Sequence, residues 1–312
     1  MRVLVVGAGA AGGYLGAQLV TGDRDVTFLV HQSSFERLTR RGLRIRRGSG
    51  TSALPVTAIT AAQLEGHYGV VVLAVRSDVV ESAVDDFRSA VTPETRIVPL
   101  VNGIAHLSVL TAAFGKQAVL GAAVRLATSM LTDGIIDEVA PGVDLELGQL
   151  DGRTSPAFDA VVQMFRVDNI AVRVRSDMVA GMWEKFAFIG ATAALTCLAG
   201  DVIGVVARTP GGPALGRRVA AEVAAVAAAE GYPVSPAARA KLDTTLTDPT
   251  SRFAPSMFRD LAAHRRVEIS VLSELAESGR RHHIDTPLLD AAQVVIEVGA
   301  SEDSQPGRVD ER

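Results

Sequence analysis

Two places in this chain bring together residue types and spacings that could do chemistry. The first is a lysine at the head of an oily stretch. In "GMWEKFAFIGATAALTCLAG", residues 181–200, Lys185 precedes fifteen residues without a charge, Phe186 to Gly200, and Asp201 then closes the run. That is shorter than the roughly 20 apolar residues of a bilayer span. The stretch therefore reads as a buried helix. Lys185 is either a side chain snorkelling at its edge or an ammonium held at the rim of an apolar cleft. There a protonated amine can polarise a carbonyl oxygen and then hand it a proton.

The second place is "GAGAAG", Gly7, Ala8, Gly9, Ala10, Ala11 and Gly12, which follows the β-branched run "RVLVV" and leads into "YLGAQLV". A buried parallel strand, a G-x-G-x-x-G turn and a helix in that order form a dinucleotide cradle. Gly7 permits the tight turn, Gly9 lets a pyrophosphate approach the backbone, and Gly12 lets the helix pack against the strand. The helix start offers N–H groups and a positive dipole end to the phosphates. A second strand follows in "DVTFLV", residues 25–30. After it stand Val30, His31, Gln32, Ser33 and Ser34, with no acid of the kind that holds a ribose 2′-hydroxyl in NAD-selective sites. Arg37, Arg40, Arg41, Arg44, Arg46 and Arg47 lie just downstream. Guanidinium groups pair well with phosphate, so NADP is the expected cofactor. His31, Gln32 and at most one arginine are expected at its 2′-phosphate, with the other arginines forming a solvated basic face.

These residues need elements to position them. "GVVVLAV" at 69–75, "TRIVPLVNG" at 95–103 and "QAVLGAAV" at 117–124 read as further strands separated by helix-length stretches, which predicts an α/β fold with a doubly wound parallel sheet. Ligands of such sheets bind beyond the carboxyl ends of the strands. Arg76 and Asn102 fall there, each either a ligand contact or a loop residue capping a helix. From about residue 176 the pattern turns helical. The sequence predicts helices over 216–232, stopping at Gly231, over 254–279, and from Pro287 onward. The expected division is a dinucleotide-binding domain over 1–174, a helical domain over 175–301, and a polar tail without order over 302–312.

Composition narrows the function classes. At 312 residues the chain is long for one core, and 48% hydrophobic with 21% charged residues describes an ordinary soluble globular protein. A net charge of −4 argues against nucleic acid as a partner. "MRVLVVGAGAAGG" does not read as a signal peptide, and Cys197, the one cysteine, has no internal disulfide partner. The expectation is a cytoplasmic protein with Cys197 as a small buried apolar residue. The scattered histidines show no metal-ligand spacing.

Five pieces occur in an order that resembles the ketopantoate reductases (2-dehydropantoate 2-reductases): "GAGAAG", "VNG" at 101–103, "WEKF" at 183–186, "SM" at 256–257 and "RRVEI" at 265–269. The resemblance covers nearly the whole chain. It implies an N-terminal Rossmann domain, a C-terminal all-helical domain, and a cleft binding NADPH and a 2-keto acid. By position, Lys185 resembles the family's catalytic lysine and Asn102 an asparagine contacting cofactor and substrate. Ser256 resembles a substrate-holding serine and Glu268 a glutamate near the nicotinamide ribose, while Ala127 resembles a backbone contact to the cofactor.

The chain also departs from the family. Ile189 and Ala193, four and eight residues after Lys185 and on its helix face, stand where the resemblance implies substrate-binding asparagines. Arg76 replaces a cofactor-facing lysine, and His31 an arginine at the 2′-phosphate. The activity implied is NADPH-dependent reduction of a 2-keto acid to a 2-hydroxy acid, on ketopantoate or on a less polar or bulkier substrate. Two alternatives share these features: another two-domain hydroxy acid dehydrogenase, and a non-catalytic NADP-binding redox sensor. The apolar helices are compatible with a homodimer, though no stretch requires one, and neither membrane nor nucleic acid is an expected partner.

Overall fold

The computed structural model of the chain describes residues 1–131 and 133–300; the polar stretch 302–312 lies outside the described residues. The chain divides into two compact units, Met1–Met182 and a second beginning at Trp183.

In the first unit the elements run β1 (Val3–Val6), α1 (Ala10–Thr21), β2 (Val26–Leu29), α2 (Gln32–Arg41), β3 (Leu43–Arg47), β4 (Gly50–Leu54), β5 (Thr57–Ile59), β6 (Val70–Leu73), α3 (Val80–Phe87), β7 (Arg96–Pro99), α4 (His106–Phe114), β8 (Leu120–Met130), β9 (Ile136–Gln149), α5 (Pro156–Phe165) and β10 (Ile170–Val174). One sheet has the order β5-β2-β1-β6-β7 and is parallel throughout. Its central strands are buried on both faces, as "VLVV" and "VVVL" foretell. Val3, Val5, Val70 and Val72 belong to one cluster with Tyr14, Leu15 and Leu19 of α1. Leu4, Val6, Val71 and Leu73 belong to the other, with Val84 and Phe87 of α3 and Leu110 of α4. This is the Rossmann arrangement, with strand order reversing at β1.

The second sheet was not foreseen. The stretch 117–124, expected as a further strand of the parallel sheet, supplies part of β8, which pairs antiparallel with β9 in a sheet of order β10-β9-β3-β4. Its tie to the first sheet is an isolated bridge between Ile97 and Val119. The arginine-rich "LRIRR" is β3, alternating Leu43 and Ile45 inward with arginines outward. Four of the six arginines between residues 37 and 47 make polar contacts within the chain to residues 133–138. Arg37 donates to the Gly134 carbonyl at 2.7 Å, Arg44 to that of Asp133 at 2.7 Å, Arg46 to Asp137 at 2.7 Å and Arg47 to Glu138 at 3.0 Å. Glu138 also accepts from the Tyr14 hydroxyl at 2.7 Å, and that oxygen takes the Gly142 N–H at 3.2 Å. Helix α1 is thereby pinned to β9, and burial, with Glu138 adding to it, pushes the Tyr14 phenol above its ordinary range.

The second unit contains no strand among its described residues. Helix α6 (Met178–Ala199) carries the chain into it, followed by α7 (Ile203–Ala207), α8 (Gly212–Ala229), α9 (Pro236–Thr247), α10 (Ser256–Ala262), α11 (Ser270–Arg281) and α12 (Pro287–Ala300). The single helix expected over 254–279 is two helices. His264 takes a left-handed φ of 50°, and the Arg265 N–H reaches back to the Asp260 carbonyl at 2.8 Å. Together they close α10 and leave 265–269 non-helical. Pro287 opens α12 as read, and Glu222 of α8 caps that helix by accepting from Leu288 and Leu289 N–H at 3.0 and 3.1 Å. The paired histidines are structural at least in part: His282 lies 3.2 Å from Glu230.

Glu146 of β9 is 7% exposed and lies 3.1 Å from both Arg125 and Arg173, with Arg175 at 3.7 Å. Burial works to raise its carboxyl, but the charges and hydrogen bonds of Arg125 and Arg173 outweigh it and hold the group below the usual carboxylate range. A carboxylate whose folded pKa is depressed stabilises the fold above its unfolded value of about 4.3 and loses that contribution as pH falls through the folded value. Glu146→Gln is expected to lower stability to urea at pH 7 by about 1–3 kcal/mol. The gap to the parent should narrow below about pH 4, and a gap independent of pH would refute the assignment.

Candidate functional site

The glycine turn at the end of β1 has the geometry its spacing implies. Gly7 takes φ +95°, donates its N–H to the Leu29 carbonyl at 2.9 Å, and leaves no room for a side chain, since a Cβ there would lie 2.7 Å from the Ala74 carbonyl. The loops after β1 and β6 thus touch at the point where strand order reverses, the position at which open parallel sheets hold ligands. A Cβ on Gly12 would meet the Gly7 carbonyl at 2.4 Å and Ala74 Cβ at 2.5 Å, so Gly12 sets the approach of α1. Gly9 is different: it is exposed, and a Cβ there would meet nothing within 4 Å. No contact inside the chain accounts for a glycine at that position, whereas close approach of an outside group does. The first backbone bond of α1 is Gly13 N–H to the Gly9 carbonyl at 2.8 Å. The N–H groups of Ala10, Ala11 and Gly12 therefore precede the ladder and can serve a pyrophosphate. Ala8 is buried beneath them. These residues fit a dinucleotide.

At the end of β2, His31 is extended and exposed ahead of α2, and its carbonyl accepts from Ser34 and Phe35 N–H at 3.0 and 2.9 Å. The N–H groups of Gln32 and Ser33 lead that helix. Residues 30–34 hold no acid; the first is Glu36, exposed, which accepts from the Gln32 side chain at 2.9 Å. Arg40 bonds to the Glu36 carbonyl at 3.3 Å and Arg41 is exposed at the end of α2, while the other four arginines turn toward the loop before β9 and β9 itself.

Arg76, after β6, is partly exposed and pairs with Asp78 at 3.2 Å, so part of the charge expected at the cofactor is balanced within the same loop. Asn102 is partly buried and precedes Gly103, whose φ is +86°, beyond the carboxyl end of β7. Ala127 sits where the β8–β9 ladder shifts register on both sides of it, and it lines a concavity with Arg125, Gly142 and Asn169.

In the second unit the helix carrying Lys185 is buried along most of its length: Phe186, Ala187, Ala191, Ala193, Ala194 and Leu195 are at most 1% exposed. Gly190 lets the helix close on its neighbours, because a Cβ there would lie 2.2 Å from Leu275 Cδ1 of α11 and 3.7 Å from Val223 of α8. Lys185 is partly exposed, as are Phe188 and Ile189, three and four residues on and hence on the same stripe. Ala193, expected beside the substrate, has no exposure, so Ile189 presents the surface of this face and Ala193 lies beneath.

Ser256 and Glu268 are carried by segments tied to this helix. The ring of Phe253 meets that of Phe188 edge-on at 5.9 Å, bringing the chain just ahead of Ser256 against α6. Ser256 is exposed at the start of α10. Glu268 is partly buried in the non-helical link before α11, and α11 reaches α6 through Leu275 and Gly190. The break at His264 therefore presents the carboxylate from a non-helical link. Phe188 and Phe253 did not stand out in the sequence, where single aromatic residues carry no periodic signal. Cys197 is buried, which pushes its thiol up to about 12 and makes it a poor nucleophile. Among the described residues no group of His, Cys, Asp and Glu could hold a metal ion, and no helix is long and apolar enough to cross a membrane.

Two family models divide the chain between them. "Ketopantoate reductase PanE/ApbA" matches residues 3–152 and "Ketopantoate reductase PanE/ApbA C terminal" matches residues 177–298. The chain belongs to the ketopantoate reductase family. Relatives include an oxidoreductase of Bacillus subtilis (strain 168), YkpB, 28% identical over 97% of this chain and 100% of that protein. The 2-dehydropantoate 2-reductase of Mesorhizobium japonicum is 25% identical over 95% of this chain and 97% of its own. Among solved structures, D-mandelate dehydrogenase shares the fold at a TM-score of 0.86, with 18% identity over 96% of this chain and 98% of that one.

The contrast between Gly9 and Gly12 gives a direct test. Gly9→Val places its side chain in open space, so unfolding in urea should shift by no more than about 1 kcal/mol. Binding of NADPH, followed by its fluorescence, should weaken about tenfold or more, equivalent to about 1.4 kcal/mol. Unchanged binding would show that no cofactor approaches Gly9.

Proposed function

We propose that this protein reduces a 2-keto acid to the 2-hydroxy acid, with NADPH as reductant and Lys185 as proton donor. The observation that carries the reading is Lys185 itself, a partly exposed lysine at the head of an uncharged and mostly buried helical run, in a chain whose two halves both match the ketopantoate reductase family.

The bound nicotinamide supplies the hydride. As negative charge develops on the C2 oxygen, the Lys185 ammonium donates a hydrogen bond to it and then the proton: the Nζ–H bond breaks, an O–H bond forms, and solvent reprotonates the amine. Ser256, exposed at the start of α10, binds the substrate without adding charge. Asn102 contacts the cofactor and can hydrogen-bond the substrate, likewise without adding charge. Glu268 orients the ammonium or the cofactor's ribose hydroxyls. Gly7 to Gly12 hold the pyrophosphate, Arg76 supplies positive charge beside it, and Ala127 offers a backbone contact.

A nicotinamide cofactor is supported by the glycine turn and by the fold neighbour D-mandelate dehydrogenase, which holds NADH in its solved complex. Preference for NADPH is supported by the start of α2, where residues 30–34 bring no carboxylate against a 2′-phosphate. Because His31 stands in place of an arginine and most nearby arginines are bonded elsewhere, the preference should be modest.

Lys185→Ala is expected to lower keto acid-dependent NADPH oxidation about 10²–10⁴-fold while NADPH still binds, as read by fluorescence titration. Oxidation at the parent rate would remove Lys185 from the mechanism and favour a binding protein without catalysis. Turnover with NADH equal to or better than with NADPH, measured as kcat/KM for each, would overturn the cofactor assignment.

A further inference from the structure

We infer that the substrate of this site is a 2-keto acid with a bulky apolar side chain, aryl or branched alkyl, and that Ile189 and Phe253 set this preference; the inference rests on the reductase reading above. Three observations converge on it, all within the second unit.

The first is what the helix offers next to the proton donor. One turn beyond Lys185 the same stripe presents Phe188 and Ile189, both partly exposed. Farther along the helix, Thr192 and Thr196 carry hydroxyls, but both are turned back onto the helix. Thr192 Oγ1 donates to the Phe188 carbonyl at 2.8 Å, and Thr196 Oγ1 to the Thr192 carbonyl at 2.7 Å. Both threonines are at most 1% exposed. No side chain from Phe188 to Thr196 presents an exposed hydrogen-bonding group, so a hydroxylated substrate tail would lose water without gaining a partner.

The second is Phe253, a residue 42% exposed although its backbone is firmly held. The Phe253 carbonyl accepts from Ile203 N–H at 3.3 Å and the Ser251 carbonyl from Gly204 N–H at 2.9 Å. Gly204 approaches so closely that a Cβ there would lie 2.3 Å from the Ser251 carbonyl. The ring itself rests edge-on against Phe188 at 5.9 Å. A solvated aromatic ring on a loose loop needs no explanation, but this one is fixed in place while open to solvent.

The third is continuity. Phe253 lies three residues ahead of Ser256 and packs on Phe188, which lies three residues beyond Lys185. The ring pair thus joins the segments that carry Lys185 and Ser256, and the inference sets the substrate tail against it. Ala193, without exposure, is not part of that wall.

The test is a comparison of kcat/KM for phenylglyoxylate, the keto acid of leucine and ketopantoate, with saturating NADPH, in the parent chain and in Ile189→Asn and Phe253→Asn. The parent is expected to favour the two apolar acids over ketopantoate by about tenfold or more, the scale on which apolar pockets discriminate. Each variant should lose about tenfold of that ratio, mainly through KM of the apolar acids. A parent preference for ketopantoate overturns the inference and leaves the reductase reading standing. Reduction of no keto acid overturns both. Variants that fold, by circular dichroism, and keep the parent ratio would remove Ile189 and Phe253 from the assignment; if neither folds, the parent comparison alone decides.

Discussion

A single ammonium at the head of a fifteen-residue run without charge, Phe186 to Gly200, is the constraint on which the rest of this protein depends. Burying α6 along most of its length requires neighbours that close on it, and Gly190 admits Leu275 of α11 to near contact. The same packing leaves one stripe, with Lys185, Phe188 and Ile189, partly open. Elsewhere along Phe186 to Gly200 a cation would be desolvated without a partner, at a penalty that the helix's apolar neighbours could not offset. The edge is where the chain can keep a charged amine and still surround it with apolar surface.

The first unit obeys a different constraint, the close approach of backbones. Gly7 and Gly12 exist because the Ala74 carbonyl and Cβ stand where side chains would be, which locks the loops after β1 and β6 and the start of α1 into one rigid cradle. Gly9 is shaped by what lies outside the chain. Behind the cradle, Tyr14, Glu138 and Arg47 fasten α1 to the second sheet, and Glu146 is held among three arginines. The polar interactions of this unit mainly fix the cradle's support and leave the cradle to backbone geometry.

Much of this was legible in the sequence. Short runs rich in β-branched and apolar residues announced β1, β2, β6 and β7, and the glycine spacing announced the turn, because burial and steric exclusion write directly into residue type. Proline at position 287 and the alanine-rich run before Gly231 marked helices for the same local reasons. The second sheet was not legible. In β9 the alternation is interrupted by Pro141 and Gly142 and by the acids Asp144 and Glu146, whose place in a sheet is made tolerable by Arg125 and Arg173 on flanking strands. Such cross-strand compensation leaves no periodic trace in one sequence. The helix over 254–279 was over-extended because its break lies in one left-handed histidine, a conformation that residue type does not announce. At the candidate site, the resemblance nominates Lys185, Ser256 and Glu268 from sequence alone, whereas Phe253 is noticed only through a ring contact made across sixty-five residues of chain.

The most direct measurement is a crystal structure of the chain with NADP and an unreducible 2-keto acid analogue bearing an aryl group. The account predicts Lys185 Nζ about 2.7–3.2 Å from the oxygen that stands for the substrate C2 carbonyl, with the aryl group against Ile189 and Phe253. An analogue whose carbonyl oxygen is held by other groups, with the Lys185 amine turned into bulk solvent, would contradict it.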